Sequence, residues 1–371
     1  MRRHWMDNLR WVTVVLVLIY HVFYFYNNKG VFGGIGGFDP DPTHQIQDAV
    51  MYILYPWFMM LLFLVAGISS KYALEKKGDK EFMRSRTLKL LVPSTIGLFV
   101  FHWICGYFNT AVTTVVNGES PFGDVPAVAK YFMYVISGTG PLWFIQDLWL
   151  FSLVLVLIRK VDRKDRVWTL GGKVGYAGIF LLGLLVFLGE QTLIADPRPE
   201  TMDGLVNLYK PIAYFIPFML GYWVFSHDGI QEKVARLHIP LLVAALASGI
   251  AFTIAFWGKD NTSPECLGGW LNNLYAYLMI LAMLGCFKTW FDRTGKFASY
   301  MSRSSFGIYI VHYTIIASLG YTLKMYTALP AFVIYVIMLI AVLLLSPALY
   351  ELLRRIPLVR WCVLGIKKNK H

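Results

Sequence analysis

Polar and apolar residues are segregated into ten long apolar runs, at 9–27, 47–70, 90–116, 141–158, 174–194, 209–226, 239–257, 269–287, 305–325 and 330–350. About 20 helical residues cover a hydrocarbon core about 30 Å thick, which is close to the length of each run. The runs lack the alternate-residue pattern of barrel strands, and backbone groups in lipid must satisfy one another within a helix. The pattern therefore predicts an all-α polytopic membrane protein of about ten transmembrane helices.

Charge fixes the expected orientation, because cytoplasmic segments keep Lys and Arg. With the N-terminus inside, only Lys29, Lys130, Arg198, Lys210, Lys259 and Lys324 of the 34 basic residues fall on the outer side. Both termini are expected in the cytoplasm, in a multi-pass protein of the bacterial-type cytoplasmic (inner) membrane. A composition 57% hydrophobic and only 15% charged excludes an ordinary soluble domain. The net charge of +12 follows from topology and contact with anionic lipid headgroups. No nucleic-acid-binding motif competes with that explanation. Neither a compositional break nor an internal repeat divides the chain, so one integral domain over 1–371 is expected. The basic N-terminus precedes a first span without a small-residue cleavage site. Cys105, Cys266, Cys286 and Cys362 are scattered and form neither a disulfide framework nor a metal spacing.

The outward loops at 28–46, 117–127, 195–208 and 258–268 are rich in Gly, Pro, Asn and Asp, as turns are. Gly33-Gly34-Ile35-Gly36-Gly37 lacks the Lys-Ser/Thr that completes a phosphate loop. Asp39, Asp41 and His44 have the right chemistry for a cation but sit in a Pro-interrupted loop, and no metal is expected.

Of eight histidines, only His21, His102 and His312 fall within the predicted spans. An ionisable group there is costly and marks either a functional site or a hydrogen bond between helices. Arg10 precedes His21 by eleven residues, about 1100° of helix, so the two share a face with an axial separation of about 16 Å. Arg10 is placed near the cytoplasmic surface and His21 deep in the helix. Coenzyme A fits such a spacing, with phosphates for the guanidinium and a long arm carrying a thioester inward. Imidazole can take the proton of an attacking hydroxyl, or can itself form an acyl-histidine. Arg84, Arg86 and Lys89 form a second basic group, which can enforce orientation and bind lipid headgroups or meet the same phosphates.

Asp7-Asn8-Leu9-Arg10 followed by His21 resembles the D-x-x-R-x10-H opening of the membrane acyltransferase-3 family. Phe63-Leu64-Val65-Ala66-Gly67, Arg86-x-x-Lys89-x-x-x-Pro93 and Leu142-Trp143-Phe144-Ile145 resemble later segments of that family. Ser305-Phe306-Gly307-Ile308-Tyr309-Ile310-Val311-His312 is similar to its late S-x-x-I-Y-x-x-H helix. Leu349-Tyr350-Glu351 with Arg355-Ile356-Pro357-Leu358 resembles the ending of its glucan biosynthesis protein C (glucan succinyltransferase) subgroup. The resemblance implies transfer of an acyl group from cytoplasmic acyl-CoA to an extracytoplasmic carbohydrate, with Arg10 and His21 essential. It makes Arg86, Lys89 and His312 candidates for donor contacts. Three positions depart from the pattern: Lys89 replaces arginine, Ala66 replaces serine, and Pro141 stands where the subgroup often has histidine.

Asp147 could orient His21 as an acid partner, or could pair with an arginine or water. Trp57 and Trp143 could stack on a sugar face or belong to the interfacial aromatic belt. The competing function is a proton-coupled transporter of an anionic solute or glycan precursor, in which the intramembrane histidines relay protons.

Overall fold

A computed structural model describes residues 3–191 and 210–367, apart from Phe32, Phe122 and Asp124. These residues form helices and no strand. In chain order the α-helices of eight or more residues are α1 His4–Phe25, α2 Ala49–Leu74, α3 Asp79–Arg86, α4 Trp103–Asn117, α5 Ala127–Ser137, α6 Trp143–Val161 and α7 Tyr176–Gln191. They continue as α8 Pro211–Leu220, α9 Asp228–Arg236, α10 His238–Phe256, α11 Trp270–Trp290, α12 Lys296–Tyr326, α13 Ala331–Leu353 and α14 Pro357–Leu364.

Among the described residues, eight helices are long and apolar enough to cross a membrane. The predicted spans at 174–194 and 209–226 coincide instead with the shorter apolar helices Tyr176–Gln191 and Pro211–Phe225. Residues 192–194, the predicted loop at 195–208 and Arg198 lie outside the described residues. Helix α12 begins at Lys296, nine residues before its predicted apolar run, because polar residues extend the helix beyond the apolar stretch. His312 consequently lies near the middle of α12.

Local signals set several boundaries. Pro126 and Pro330 immediately precede α5 and α13, and Pro357 opens α14, where its missing N–H breaks no helical bond. Gly118 ends α4 in a left-handed conformation. Wider π-type turns occupy Thr87–Leu91, Leu98–His102 and Gly221–Phe225.

The chain forms two compact units. The first comprises the segment up to Thr13, Tyr52–Arg84 and Asp147–Ser302. The second comprises Val14–Met51, Ser85–Gln146 and the segment from Arg303 onward.

In the first unit, α2 and the turn after α8 meet backbone to backbone. A Cβ on Gly67 would lie 1.9 Å from the Phe218 carbonyl oxygen, and one on Gly221 would lie 2.0 Å from that of Leu64. Glycine at both positions permits this approach, which is a packing role for the Phe63–Gly67 segment. The same unit pairs several of its basic residues. Lys71 Nζ lies 3.0 Å from Asp165 Oδ2 and 4.0 Å from the Trp168 ring centroid, and Arg159 donates to Tyr222 and Asp79. These cations are engaged by partners before any lipid or ligand is considered.

In the second unit, α5 packs on α4, where added methyl groups on Gly106 and Gly138 would meet the carbonyls of Tyr134 and His102. The end of α14 lies against Leu88 and Lys89, and its Cys362 carbonyl against Gly97. The Gly33–Gly37 loop presents carbonyls, not amides: Lys324 Nζ donates to the oxygens of Gly36 and Gly37 and sits 4.1 Å from the Phe38 ring centroid. His44 lies 3.4 Å from both Asp39 and Asp41, forming a solvent-exposed charge cluster.

A candidate active site around two histidines

Helix α1 carries the Asp7-x-x-Arg10 motif as a local ion pair, in which the Arg10 guanidinium donates to the Asp7 carboxylate. These residues are three apart and therefore on neighbouring positions of one face. The Arg10 side chain remains 40% exposed, so part of the guanidinium is open to another anion.

His21 lies three turns further along. Its Nδ1 is 2.8 Å from the Val17 carbonyl oxygen and 3.3 Å from Nε2 of His312. The rings of Tyr20, Tyr24 and Tyr313 surround it at centroid distances of 5.3, 5.8 and 5.3 Å. His312 is fully buried, and its Nδ1 lies 2.5 Å from the Tyr309 carbonyl oxygen.

These contacts assign the protons of a neutral pair. A backbone carbonyl only accepts, so His312 carries its proton on Nδ1 and has a lone pair on Nε2. The two neighbours of His21 Nδ1, a carbonyl oxygen and that lone pair, both accept. His21 therefore bears its proton on Nδ1, and its Nε2 holds an unprotonated lone pair. His21 is partly accessible, unlike His312. The geometry thus leaves one basic nitrogen available and uses the second histidine to hold the first.

The second unit brings further motif segments to this pair. Tyr309 donates its hydroxyl to the Pro141 carbonyl, and Phe144 packs edge-on against the Tyr309 ring at 5.7 Å. Gln146 donates to the Ser94 carbonyl at 3.0 Å, tying α6 to the turn after Pro93. Trp143 is half-buried beside Phe144. His102 is also buried, ends a π-type turn, and lies within electrostatic reach of His312, while its Nε2 has no hydrogen-bond partner.

The other expected site residues are distributed more widely. Asp147 is not among the hydrogen-bond or ring partners of His21; it belongs to the first unit and lies within electrostatic reach of Tyr214. The partner of His21 is another imidazole. Trp57 is buried in the first unit, with its indole N–H donating to the Ile53 carbonyl at 2.6 Å, so its ring faces protein neighbours. Arg84 is exposed at the end of α3 in the first unit, whereas the half-buried Arg86 and exposed Lys89 belong to the second. His312, expected as a donor contact, lies 3.3 Å from His21.

One basic residue escaped the motif reading. Arg360 lies on α14, whose end packs against Leu88 and Lys89, and its Nε is buried without a hydrogen-bond partner. The only signal in the sequence was an arginine one turn after Pro357, in a tail rich in cations.

The family model described as an acyltransferase domain matches residues 3–351. No curated protein and no solved structure matches the chain.

Proposed function

The chain belongs to the acyltransferase-3 family, and on that premise we propose that it moves an acetyl or succinyl group from cytoplasmic acyl-CoA to a hydroxyl of an extracytoplasmic sugar or glycan, as in the glucan-modifying subgroup. It is a membrane acyltransferase by family and by its apolar helices. Under this proposal it is one integral domain of the bacterial inner membrane, with α7 and α8 completing ten spans and both termini in the cytoplasm.

The observation that carries the reading is the His21–His312 contact. His21 Nε2 accepts the proton of the acceptor hydroxyl as the oxygen attacks the thioester carbonyl. The C–S bond then breaks, an O-acyl ester forms, and the departing thiolate takes the proton back from Nε2. As the His21 ring becomes positively charged, its Nδ1–H bond to His312 becomes charge-assisted and strengthens. Within the second unit, donor phosphates meet Arg86 and Lys89, to which we add Arg360; Arg10, held by Asp7, and Arg84 are donor-phosphate contacts on the family resemblance. Trp143 offers an aromatic face for the acceptor.

Purified protein supplied with acetyl- or succinyl-CoA and a glycan acceptor is expected to form an acyl ester. His21→Ala is expected to lower the rate by about 10²- to 10⁴-fold, the usual worth of a general base. Equal transfer by both proteins overturns the assignment of His21. Counterflow of a labelled anionic solute in proteoliposomes, without consumption of acyl-CoA, overturns the enzyme reading in favour of transport.

A further inference from the structure

A buried polar cavity in the first unit is unused by this chemistry. Tyr55, Glu190, Lys210 and Tyr214 line it, with Leu267 at its wall. Glu190 is 3% exposed and Asp147 is 4% exposed. The Glu190 Oε2 and the Asp147 Oδ2 have no hydrogen-bond partner. Both carboxyl groups are within electrostatic reach of Tyr214. Lys210 Nζ donates to the Tyr55 hydroxyl at 3.0 Å and lies within electrostatic reach of Glu190 and Asp260.

The same unmet polarity recurs in the adjoining chain. Asn261, next to Asp260, is fully buried, and neither its side-chain oxygen nor its nitrogen has a partner. Asn272 and Asn273 each donate to the Leu267 carbonyl at 3.1 Å, yet their own side-chain oxygens are unpartnered. Buried polar atoms normally have partners, so several in one region point to a ligand.

Their chemistry narrows its class. The unpartnered atoms are mainly oxygen acceptors, so the ligand must supply donors. A cation would meet the charge of Lys210, and an anion that of Glu190. Neutral hydroxyls meet neither objection, and the space beside Glu190 and Lys210 admits a group the size of a hydroxyl, not a whole sugar ring.

We infer that the cavity bounded by Tyr55, Glu190, Lys210 and Tyr214 is a subsite for a neutral carbohydrate, whose hydroxyl enters to donate to Glu190. That the bound sugar is the acyl acceptor rests on the acyl-transfer reading; the cavity's ability to bind sugar does not. Binding is tested by calorimetric titration of the purified full chain with a neutral glucose tetrasaccharide and with a galacturonic acid tetrasaccharide. Wild type is expected to bind the neutral sugar in preference to the anionic one. Glu190→Gln, which keeps the side-chain volume, is expected to bind about tenfold more weakly, the worth of a hydrogen bond to a charged group. Tyr55→Phe, which removes one hydroxyl and releases Lys210, provides a second variant and is expected to bind about threefold more weakly. Undiminished binding by both variants, preference for the anionic sugar, or no binding by wild type overturns the subsite. Neutral-sugar binding that is lost in Glu190→Gln, in a protein that transfers no acyl group, supports the subsite and removes the acyl-transfer reading.

Discussion

Nε2 of His312 lies 3.3 Å from Nδ1 of His21, across 291 residues of sequence. Because the Tyr309 carbonyl accepts a hydrogen bond from His312 Nδ1–H, this contact sets His312 Nε2 as an acceptor and His21 as a donor. The relationship distinguishes two imidazoles that the sequence could not tell apart: one that accepts across the contact and one that donates.

Replacing His312 with Phe should lower kcat by about 10- to 100-fold, equivalent to about 1.4–2.7 kcal/mol, because the lost bond strengthens as His21 gains charge. KM for acyl-CoA should stay within about twofold, since uniform binding is unaffected. His312→Gln retains an acceptor oxygen and should recover part of the rate. Steady-state kinetics on both variants checks this; a rise in KM alone would instead make His312 a donor contact.

Arg10→Ala should weaken CoA binding by about tenfold or more, as loss of a charge-assisted phosphate contact does. Asp7→Asn should have a smaller effect, because it frees the guanidinium without removing it. Equilibrium binding of CoA to the two variants measures the difference, and unchanged affinity in Arg10→Ala would remove the phosphate assignment.

If Arg86, Lys89 and Arg360 meet donor phosphates, substitution of any one by Gln should flatten the ionic-strength dependence of CoA binding. Arg360→Gln should also weaken binding by several-fold. Titrations at low and high salt test this, and a salt dependence unchanged from wild type in all three variants would contradict a phosphate cluster.

Gly67→Ala should lower thermal stability in detergent without touching the chemistry. Its Cβ would fall 1.9 Å from the Phe218 carbonyl oxygen, a backbone atom that cannot rotate aside. Overpacking of this kind costs about 1–3 kcal/mol or more. A thermal-shift measurement should show the loss, whereas Gly78→Ala, where nothing lies within 4 Å of the added methyl, should leave this packing intact.

The sequence by itself determined where helices form, because apolar run length depends only on neighbouring residues and on the thickness of a bilayer. Eight of the ten predicted runs coincide with helices long and apolar enough to cross a membrane and the other two, as far as they are described, with shorter apolar helices, whereas α5, with 11 residues too short for a span, carried no prediction. It also placed Arg10 and His21 on one helical face, a consequence of the helix repeat alone. Tertiary structure decided what each polar group meets. It paired His21 with His312, associated Asp147 electrostatically with Tyr214, and brought the end of α14 against Leu88 and Lys89. Such contacts join residues far apart in the chain, and their geometry depends on how helices pack, which local periodicity does not specify. The proton on His21 Nδ1 is therefore a property of the folded pair, although both histidines were visible in the sequence.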